Sequence, residues 1–370
     1  MALDRIRLGW FRNHRATALS GTARFNLLVG ENGAGKTNIL EAISLFAPGR
    51  GLRRAALVDM AGHDGDGSFA ISADLSPGLS EQAREAAIRL GTGTAPDRPG
   101  RRLVRVNGAD TSAVALGEWL GIFWLTPAMD RLFADTPGAR RRFLDRMVLA
   151  QAPGHAALAA RLEAAIRERN RLLSAPDMPD ARWFDAIEAQ IAEAGAAVAS
   201  ARSGLILALD AYLAALPPSP FARPALAYQA GGPLSAGELA QALADGRRRD
   251  RAAGRTLTGP HRDDLGVTMA AKNQPAALCS TGEQKAMLIA ITLAHAEWGT
   301  ASGPEPHPRL LLLDEVAAHL DPLRRAALFE RLAATGAQIW MTGTETAPFA
   351  EVLPHAAGWI VAEGEAKPLG

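Results

Sequence analysis

One short stretch of the sequence has the residue types and spacing of a phosphate-binding loop. Residues 30–37 read GENGAGKT and match the pattern G-x-x-x-x-G-K-[ST] at every defined position. Glycines let backbone N–H groups turn toward phosphate oxygens, Lys36 adds positive charge at the β- and γ-phosphates, and the Thr37 hydroxyl can ligate Mg²⁺. The alternative is a plain glycine-rich turn. The residues predicted to line a bound ATP are Gly30, Glu31, Asn32, Gly33, Ala34, Gly35, Lys36, Thr37 and Asn38.

A second stretch supplies two adjacent carboxylates. Residues 310–315 read LLLLDE, an apolar run that predicts a buried strand ending in acids. Asp314 at the strand end would hold the magnesium, and Glu315 would polarise a water for attack on the γ-phosphate. We therefore predict Lys36, Asp314 and Glu315 as catalytic residues, and Thr37 and Asp314 as metal ligands. The alternative is a buried strand whose polar end merely reaches solvent.

Two predicted helix starts also carry residues suited to anion binding. Residues 280–284 read STGEQ before an amphipathic run, and Asp321 is followed by Pro322 at a first helical position. Each is explained by an ordinary N-cap, in which a side-chain oxygen accepts from the first backbone N–H groups. In the alternative interpretation of 280–284, these N–H groups are left for an anion that arrives from elsewhere.

The patterns around these residues predict an α/β layer. Short apolar runs alternate with amphipathic helices, which is typical of a mainly parallel sheet. The predicted strands cover 4–11, 24–30, 308–315 and 338–344, and the predicted helices cover 37–46 and 321–335. Surface loops are predicted over 90–102 and 301–308.

The middle of the chain differs from its two ends. Apolar residues at helical spacing before and after the breaker 174–180 predict an antiparallel helical hairpin, which 216–224 ends. We therefore expect an α/β head, residues 1–146 and 251–370, that is interrupted by a mostly helical arm, residues 147–250.

Composition excludes several classes of protein. The 370 residues are 48% hydrophobic, enough for a sizeable core, and the net charge of +1 indicates no global attraction to nucleic acid or membrane. The single cysteine, Cys279, excludes an intramolecular disulfide and fits a reducing compartment. The N-terminus has no apolar signal core, and no apolar run approaches the roughly 18 residues of a membrane span. We expect a soluble, cytoplasmic protein.

The order of the motifs resembles that of ABC-type ATPases, with a phosphate loop, a Ser-x-Gly helix start, an acidic strand and an Asp-containing loop. Most of the chain separates Lys36 from Ser280, unlike in transporter subunits, and the heptads of long SMC-like proteins are missing. The sequence resembles the RecF family of bacterial recombination mediators over essentially its whole length. The stretches that carry this resemblance are FRN (11–13), GENGAGKTNILEAI (30–43), PGARRRFLD (137–145), TGPHRDDL (258–265), STGEQK (280–285) and LLLLDEVAAHLDPLRRAALFE (310–330).

This resemblance implies an ABC-type P-loop ATPase head with an inserted helical arm. It implies a weak ATPase that uses ATP and Mg²⁺ and dimerises head-to-head around two nucleotides. Ser280, Gly282 and Gln284 would meet the γ-phosphate held by the other subunit, with Asp321 across the same interface. It further implies binding to gapped or double-stranded DNA, with single-stranded DNA as a further candidate. Together with RecO and RecR, such a protein helps to load RecA.

Departures from the pattern leave alternatives open. The His that transporters carry after the next strand is missing, and Thr342 and Thr344 stand there instead. Residues 123–127, FWLTP, offer no Gln for the magnesium-sensing position. A subunit of a transporter or another membrane machine is the alternative function. An ABC-linked nuclease would need a further acidic cluster after Glu315, and none is apparent.

The remaining candidates are basic residues. Arginines cluster at 50–54, 140–146 and 247–251, where they either pair with nearby acids or contact phosphates of a DNA backbone. The low aromatic content, 5%, argues against stacking on single-stranded bases. His261 and Arg262 could sense nucleotide or couple the arm to the head, or could form a turn satisfied by Asp263 or Asp264. Arg12 could reach the nucleotide from the first strand.

Overall fold

The computed structural model describes residues 2–78, 87–177, 179–217, 219–302, 308–317 and 320–370. The chain forms two compact units, unit 1 with residues 1–129 and 295–370, and unit 2 with residues 130–294. Unit 2 begins before and ends after the arm predicted at 147–250. The reason is that the helix at 137–149 packs against a strand at 264–269 and its Arg140 pairs with Asp264 there.

Unit 1 is mostly strands and unit 2 is mostly helices. The helices in the described residues are α1 (Lys36–Ser44), α2 (Pro137–Leu149), α3 (His155–Leu173), α4 (Ala181–Ala215), α5 (Ala236–Ala253), α6 (Thr281–Ser302) and α7 (Pro322–Ala334). The strands are β1 (Ala2–Phe11), β2 (His14–Leu19), β3 (Phe25–Val29), β4 (Ala70–Ser76), β5 (Ile88–Ala95), β6 (Arg98–Val106), β7 (Ala109–Asp110), β8 (Gly121–Leu125), β9 (Pro224–Gln229), β10 (Asp264–Met269), β11 (Gln274–Pro275), β12 (Arg309–Leu313), β13 (Gln338–Gly343), β14 (Ala356–Ala362) and β15 (Glu365–Pro368).

A mainly parallel sheet in unit 1 carries the acidic strand and the strand before the glycine-rich loop. Its order is β15-β14-β3-β13-β12-β8, and only β15 joins antiparallel. Every residue of β3, β8 and β13 is buried, as expected for strands covered on both faces. The predicted parallel layer is therefore confirmed. Because parallel strands end at one edge, the residues after β3 and β12 lie at the same edge of this sheet.

The second sheet of unit 1 is antiparallel, in the order β2-β1-β4-β5-β6-β7. Its inward side chains, Ile6 and Leu8 among them, share one apolar core with Leu40 and Ile43 of α1. The loop predicted over 90–102 is wrong, since β5 and β6 form a hairpin there. Its Gly and Thr residues suggested turns, yet they alternate along a strand whose inward Thr92 is buried. Of the second predicted loop, residues 303–307 lie outside the described residues.

The core of unit 2 is a helical hairpin with a buried charge network. Antiparallel α3 and α4 confirm the predicted hairpin, and α5 packs against them, while β11, β10 and β9 form a small sheet. Arg169 is fully buried, and its guanidinium pairs with Glu188 and Asp250 at 3.0 and 2.7 Å. It also donates to the Thr256 hydroxyl at 3.0 Å. A buried arginine with this many partners joins three segments of the unit.

Helix α4 is, by length and composition alone, apolar enough to cross a membrane. Its 35 residues include a window of mean hydropathy 1.3, of which 39% is buried. It carries two buried charges, Glu188 and Arg202, both paired with charged side chains of unit 2. Such pairing is typical of a core helix of a globular unit.

Candidate nucleotide-binding site

The glycine-rich loop joins β3 to α1 in unit 1. Gly30 has a φ of 155°, and a Cβ there would lie 2.1 Å from the Val361 carbonyl oxygen, so only glycine fits. The Lys36 ammonium donates to the carbonyls of Gly30 and Glu31 at 2.7 and 2.8 Å, which curls the loop around the side chain. Burial lowers the pKa of Lys36, against the charges of Glu315 and Asp314, which raise it.

Side chains behind the loop hold it from the β1–β2 turn. The Asn13 amide donates to the Ala34 carbonyl at 3.0 Å, and His14 Nε2 lies 3.0 Å from the Gly35 carbonyl oxygen. Asn38 donates to the Asn13 side-chain oxygen at 2.7 Å. Glu31, Asn32 and Gly33 are exposed at the loop surface. Burial lowers the pKa of His14, while its contacts with the Gly35 and Gly364 carbonyls oppose this.

The acidic strand brings Asp314 to the loop. The Thr37 hydroxyl lies 2.9 and 3.2 Å from the two Asp314 carboxylate oxygens, which places the two predicted metal ligands side by side. The Thr342 hydroxyl donates to the same carboxylate at 2.8 Å. Burial raises the pKa of Asp314, and the charge of Glu315 raises it further, while the two hydroxyl hydrogen bonds oppose this. A bound cation would relieve the cost of burying this carboxylate.

Thr342 also positions the second acid. The backbone N–H of Glu315 donates to the Thr342 hydroxyl at 2.9 Å, and Glu315 has a left-handed φ of 52°. One hydroxyl at the end of β13 therefore contacts both members of the acidic pair. Sequence reasoning noted Thr342 only as a replacement for a missing His. The sequence feature that could have indicated its role is the position of this hydroxyl residue at the end of an apolar strand.

Arg12 lies against α1 and is held there by an acid. Its guanidinium donates to both carboxylate oxygens of Glu41, at 2.9 and 3.0 Å, and to the Asp59 carbonyl at 2.7 Å. Glu41 is fully buried and also accepts from Arg53, which contacts the Asn38 side chain as well. Glu41 was missed from the sequence, whereas Arg53 belongs to the arginine cluster at 50–54 and has the acid-paired arrangement, one of the two interpretations given for that cluster. A single acid on the apolar face of α1 was the signal for a buried ion pair.

In unit 2, Ser280 is an N-cap with a reciprocal acid. Its hydroxyl and backbone N–H both donate to Glu283 Oε2, at 2.9 and 3.0 Å, and Lys272 pairs with the same carboxylate. The Lys272 and Ser280 hydrogen bonds lower the pKa of Glu283 to about 2. This is a capping box, the first of the two interpretations of this helix start. Gln284 is buried and donates to the Cys279 carbonyl at 2.9 Å, whereas Gly282 is exposed.

The two remaining predicted segments are turns and caps in the structure. Asp321 caps α7 by accepting from the Arg324 N–H at 2.9 Å, and residues 318–319 of this loop lie outside the described residues. His261 Nε2 donates to the Thr256 carbonyl at 2.9 Å. The turn at 260–262 is closed by backbone hydrogen bonds from the Arg262 N–H to the Gly259 carbonyl at 2.9 Å and from the Asp263 N–H to the Pro260 carbonyl at 3.2 Å. Asp321 thus has the N-cap arrangement and 260–262 is a turn, in which His261 Nδ1 is buried with no hydrogen-bond partner among the described residues.

The fold and the site define a class of protein. A glycine-rich loop after β3 and an Asp-Glu pair after β12 lie at one edge of a parallel sheet, with a single strand between them. With the helical arm and the Ser-x-Gly helix start, this is an ABC-type P-loop ATPase head.

Comparison with known proteins gives the family. Residues 2–356 match the family described as RecF/RecN/SMC N terminal domain. The DNA replication and repair protein RecF of Mesorhizobium japonicum is 47% identical, over 99% of this chain and 97% of the relative. That of Brucella suis is 46% identical, over 99% and 96%. The chain belongs to the RecF family.

Solved structures agree in fold. The recombination mediator protein RecF–ATPrS of the RecFOR pathway superposes with a TM-score of 0.83 at 19% identity, covering 100% of this chain and 98% of that one. An SMC head bound to the C-winged helix domain of ScpA gives a TM-score of 0.51 at 15% identity, covering 100% and 98%.

Proposed function

We propose that the chain is an ATP-switched DNA-binding protein of recombinational repair and replication restart. The observation that carries the ATP part is the contact between Thr37 and Asp314. A hydroxyl and a carboxylate at 2.9 Å beside a P-loop lysine are the oxygen donors that Mg²⁺ takes in nucleotide sites. Loop residues 30–38 would cradle the ATP phosphates, and Lys36 would neutralise charge on the β- and γ-phosphates.

Hydrolysis follows from the second acid. Glu315 would polarise a water for attack on the γ-phosphate, and its position directly after Asp314 and the bond from its backbone N–H to Thr342 support this role. When bound, Mg²⁺ neutralises the developing negative charge. Turnover is slow in this proposal because residues 341–346, MTGTET at the end of β13, offer no His to contact the γ-phosphate.

Dimerisation would complete the site. Ser280, Gly282 and Gln284 of one subunit would meet the γ-phosphate bound by the other, with Asp321 across the interface. The dimer would bind gapped or double-stranded DNA in the cytoplasm, assist RecO and RecR in loading RecA, and be reset by hydrolysis. The relatives are DNA replication and repair proteins, which supports this proposal, as does the RecFOR pathway to which the similar solved structure belongs.

Sizing with and without ATP and Mg²⁺ tests the switch. We expect the unmodified chain to dimerise with ATP, and Lys36→Arg and Ser280→Arg each to stay monomeric. An equal mixture of the two variants should recover dimers, because one complete composite site forms in each mixed pair. An oligomeric state that ignores ATP would refute the switch. Association with membranes instead of DNA would favour the transporter-type alternative.

A further inference from the structure

The arginines of unit 2 differ in whether an acid neutralises them. Arg247 pairs with Asp185 and Glu188, and Arg140 holds both carboxylate oxygens of Asp264 at 2.6 and 2.8 Å. Arg140 and Arg247 are therefore paired with nearby acids, which is one of the two interpretations given for the arginine clusters. A second set, Arg141, Arg142 and Arg262, forms no ion pair with any residue that the structure describes.

These three arginines come from two adjacent segments. Arg141 and Arg142 lie on the first turns of α2, and their guanidinium nitrogens lie 3.7 and 3.2 Å from where a Cβ would stand on Gly138. Arg141 donates to the carbonyl of Asp263, the residue after Arg262, at 2.6 Å. The two segments are thus in contact, with Arg142 and Arg262 exposed on either side.

Both aspartates beside this surface are already in use. Arg140 holds Asp264 at 2.6 Å. Asp263 accepts from Arg202 at 2.9 Å and from the backbone of Gly231 at 2.8 Å, and it also accepts from the Tyr228 hydroxyl. Burial lowers the pKa of Arg141, and the positive charges of Arg202 and Arg262 lower it further, against the two neighbouring aspartates. Positive charge at this surface therefore exceeds what the nearby acids balance.

We propose that Arg141, Arg142 and Arg262, the "basic cluster", bind phosphates of the DNA backbone. The forked donors of arginine match phosphate oxygens in a bidentate manner. None of the large apolar side chains exposed in the described residues lies on α2 or in the turn at 260–262, so recognition is by charge and not by base stacking. This proposal rests on the DNA binding proposed above and names the surface that performs it.

Binding of a labelled gapped duplex across a salt series tests the basic cluster. The test variant is the full chain with Arg142→Gln and Arg262→Gln, both at exposed positions, to preserve folding. The control is Arg182→Gln with Arg248→Gln, two exposed arginines of unit 2 outside the cluster, which changes the net charge equally. The logarithmic salt slope should fall by about two in the test variant, with roughly 30-fold weaker binding near 0.15 M salt. The control should keep the slope of the unmodified chain.

Three other outcomes would overturn the assignment. Equal losses in test and control variants would mean general charge attraction. If the test variant keeps DNA binding but no longer binds polyglutamate, the surface serves an acidic polypeptide. If inorganic phosphate at millimolar concentration displaces the duplex from the control variant but not from the unmodified chain, the arginines removed in the control contribute to DNA binding. The DNA contacts are then not at the basic cluster. Failure of the unmodified chain to bind any DNA, with or without ATP, would instead refute the proposed function itself.

Discussion

Thr342→Val isolates the hydroxyl that joins the two acids. Valine has nearly the same shape, so the substitution removes the bond to Asp314 at 2.8 Å and the acceptor of the Glu315 N–H at 2.9 Å. A hydrogen bond to a charged group contributes about 1.5–3 kcal/mol, and a buried unpaired N–H costs about 1–3 kcal/mol. The site is buried, so water does not replace these partners readily.

The expected loss of ATPase activity depends on how much of this free energy contributes to positioning Glu315. If about 2 kcal/mol is lost from the transition state, kcat for ATP hydrolysis falls about 30-fold. Nucleotide affinity without Mg²⁺ should change little, because the substitution leaves residues 30–37 in place. Thr342→Ser keeps the hydroxyl and should restore most of the rate.

A matched control separates positioning from stability. Thr335→Val removes another buried hydroxyl of unit 1, which donates to the Leu332 carbonyl at 2.8 Å and contacts none of the predicted site residues. Steady-state ATPase assays and thermal unfolding of all three variants give the comparison. The control should lose stability but keep kcat. A Thr342→Val protein whose kcat stays within threefold of the unmodified chain would refute the reasoning, since roughly 0.7 kcal/mol is too little for two lost contacts.

Two further predictions concern buried charge. Arg169→Met leaves the buried Asp250 carboxylate without its close arginine partner, while Glu188 keeps Arg247. The free energy of unfolding of unit 2 should drop by about 3–5 kcal/mol in denaturant titration, whereas exposed Arg171→Met on the same helix should be neutral. An unchanged midpoint for Arg169→Met would contradict the network. For His14, whose pKa burial lowers from 6.5, the unfolded chain binds the proton first, so stability should fall as pH drops below 6.5. In His14→Gln the melting temperature should depend less on pH between about 6.5 and 5, and an identical slope in both proteins would show that folding does not lower the pKa of His14.

The fold was predicted correctly where the composition of a stretch and the spacing of its apolar residues indicate the same secondary-structure element. Uninterrupted apolar strands followed by Gly30 or Asp314 could be placed at the edge of a parallel sheet because that context admits few other structures. The β5–β6 hairpin was missed for the opposite reason. Strand β5 carries Gly91, Thr92 and Gly93, whose turn propensity is overridden by pairing with a strand on each side, β4 and β6.

The site was predicted residue by residue only where a motif spans contiguous positions. Thr342 contacts Asp314 although the two residues are 28 positions apart in the sequence. Glu41 accepts hydrogen bonds from Arg12, which is 29 positions away. Such contacts depend on strand order and helix orientation, which a linear pattern does not contain. The role of Asn13 and His14 in holding the loop could not be predicted either, since their residue types do not indicate which carbonyls they contact.

The capping box at Ser280 has a consequence for any ligand of that helix end. The serine hydroxyl has a single proton, and it is directed to the Glu283 carboxylate, which Lys272 holds in place. A phosphate arriving there therefore exchanges with a resident anion and does not add to an open site. The affinity of this helix start for phosphate is therefore the difference between its binding free energies for two anions, the phosphate and the Glu283 carboxylate. Loss of the Ser280 hydroxyl should weaken phosphate binding, whereas loss of the Glu283 charge should strengthen it.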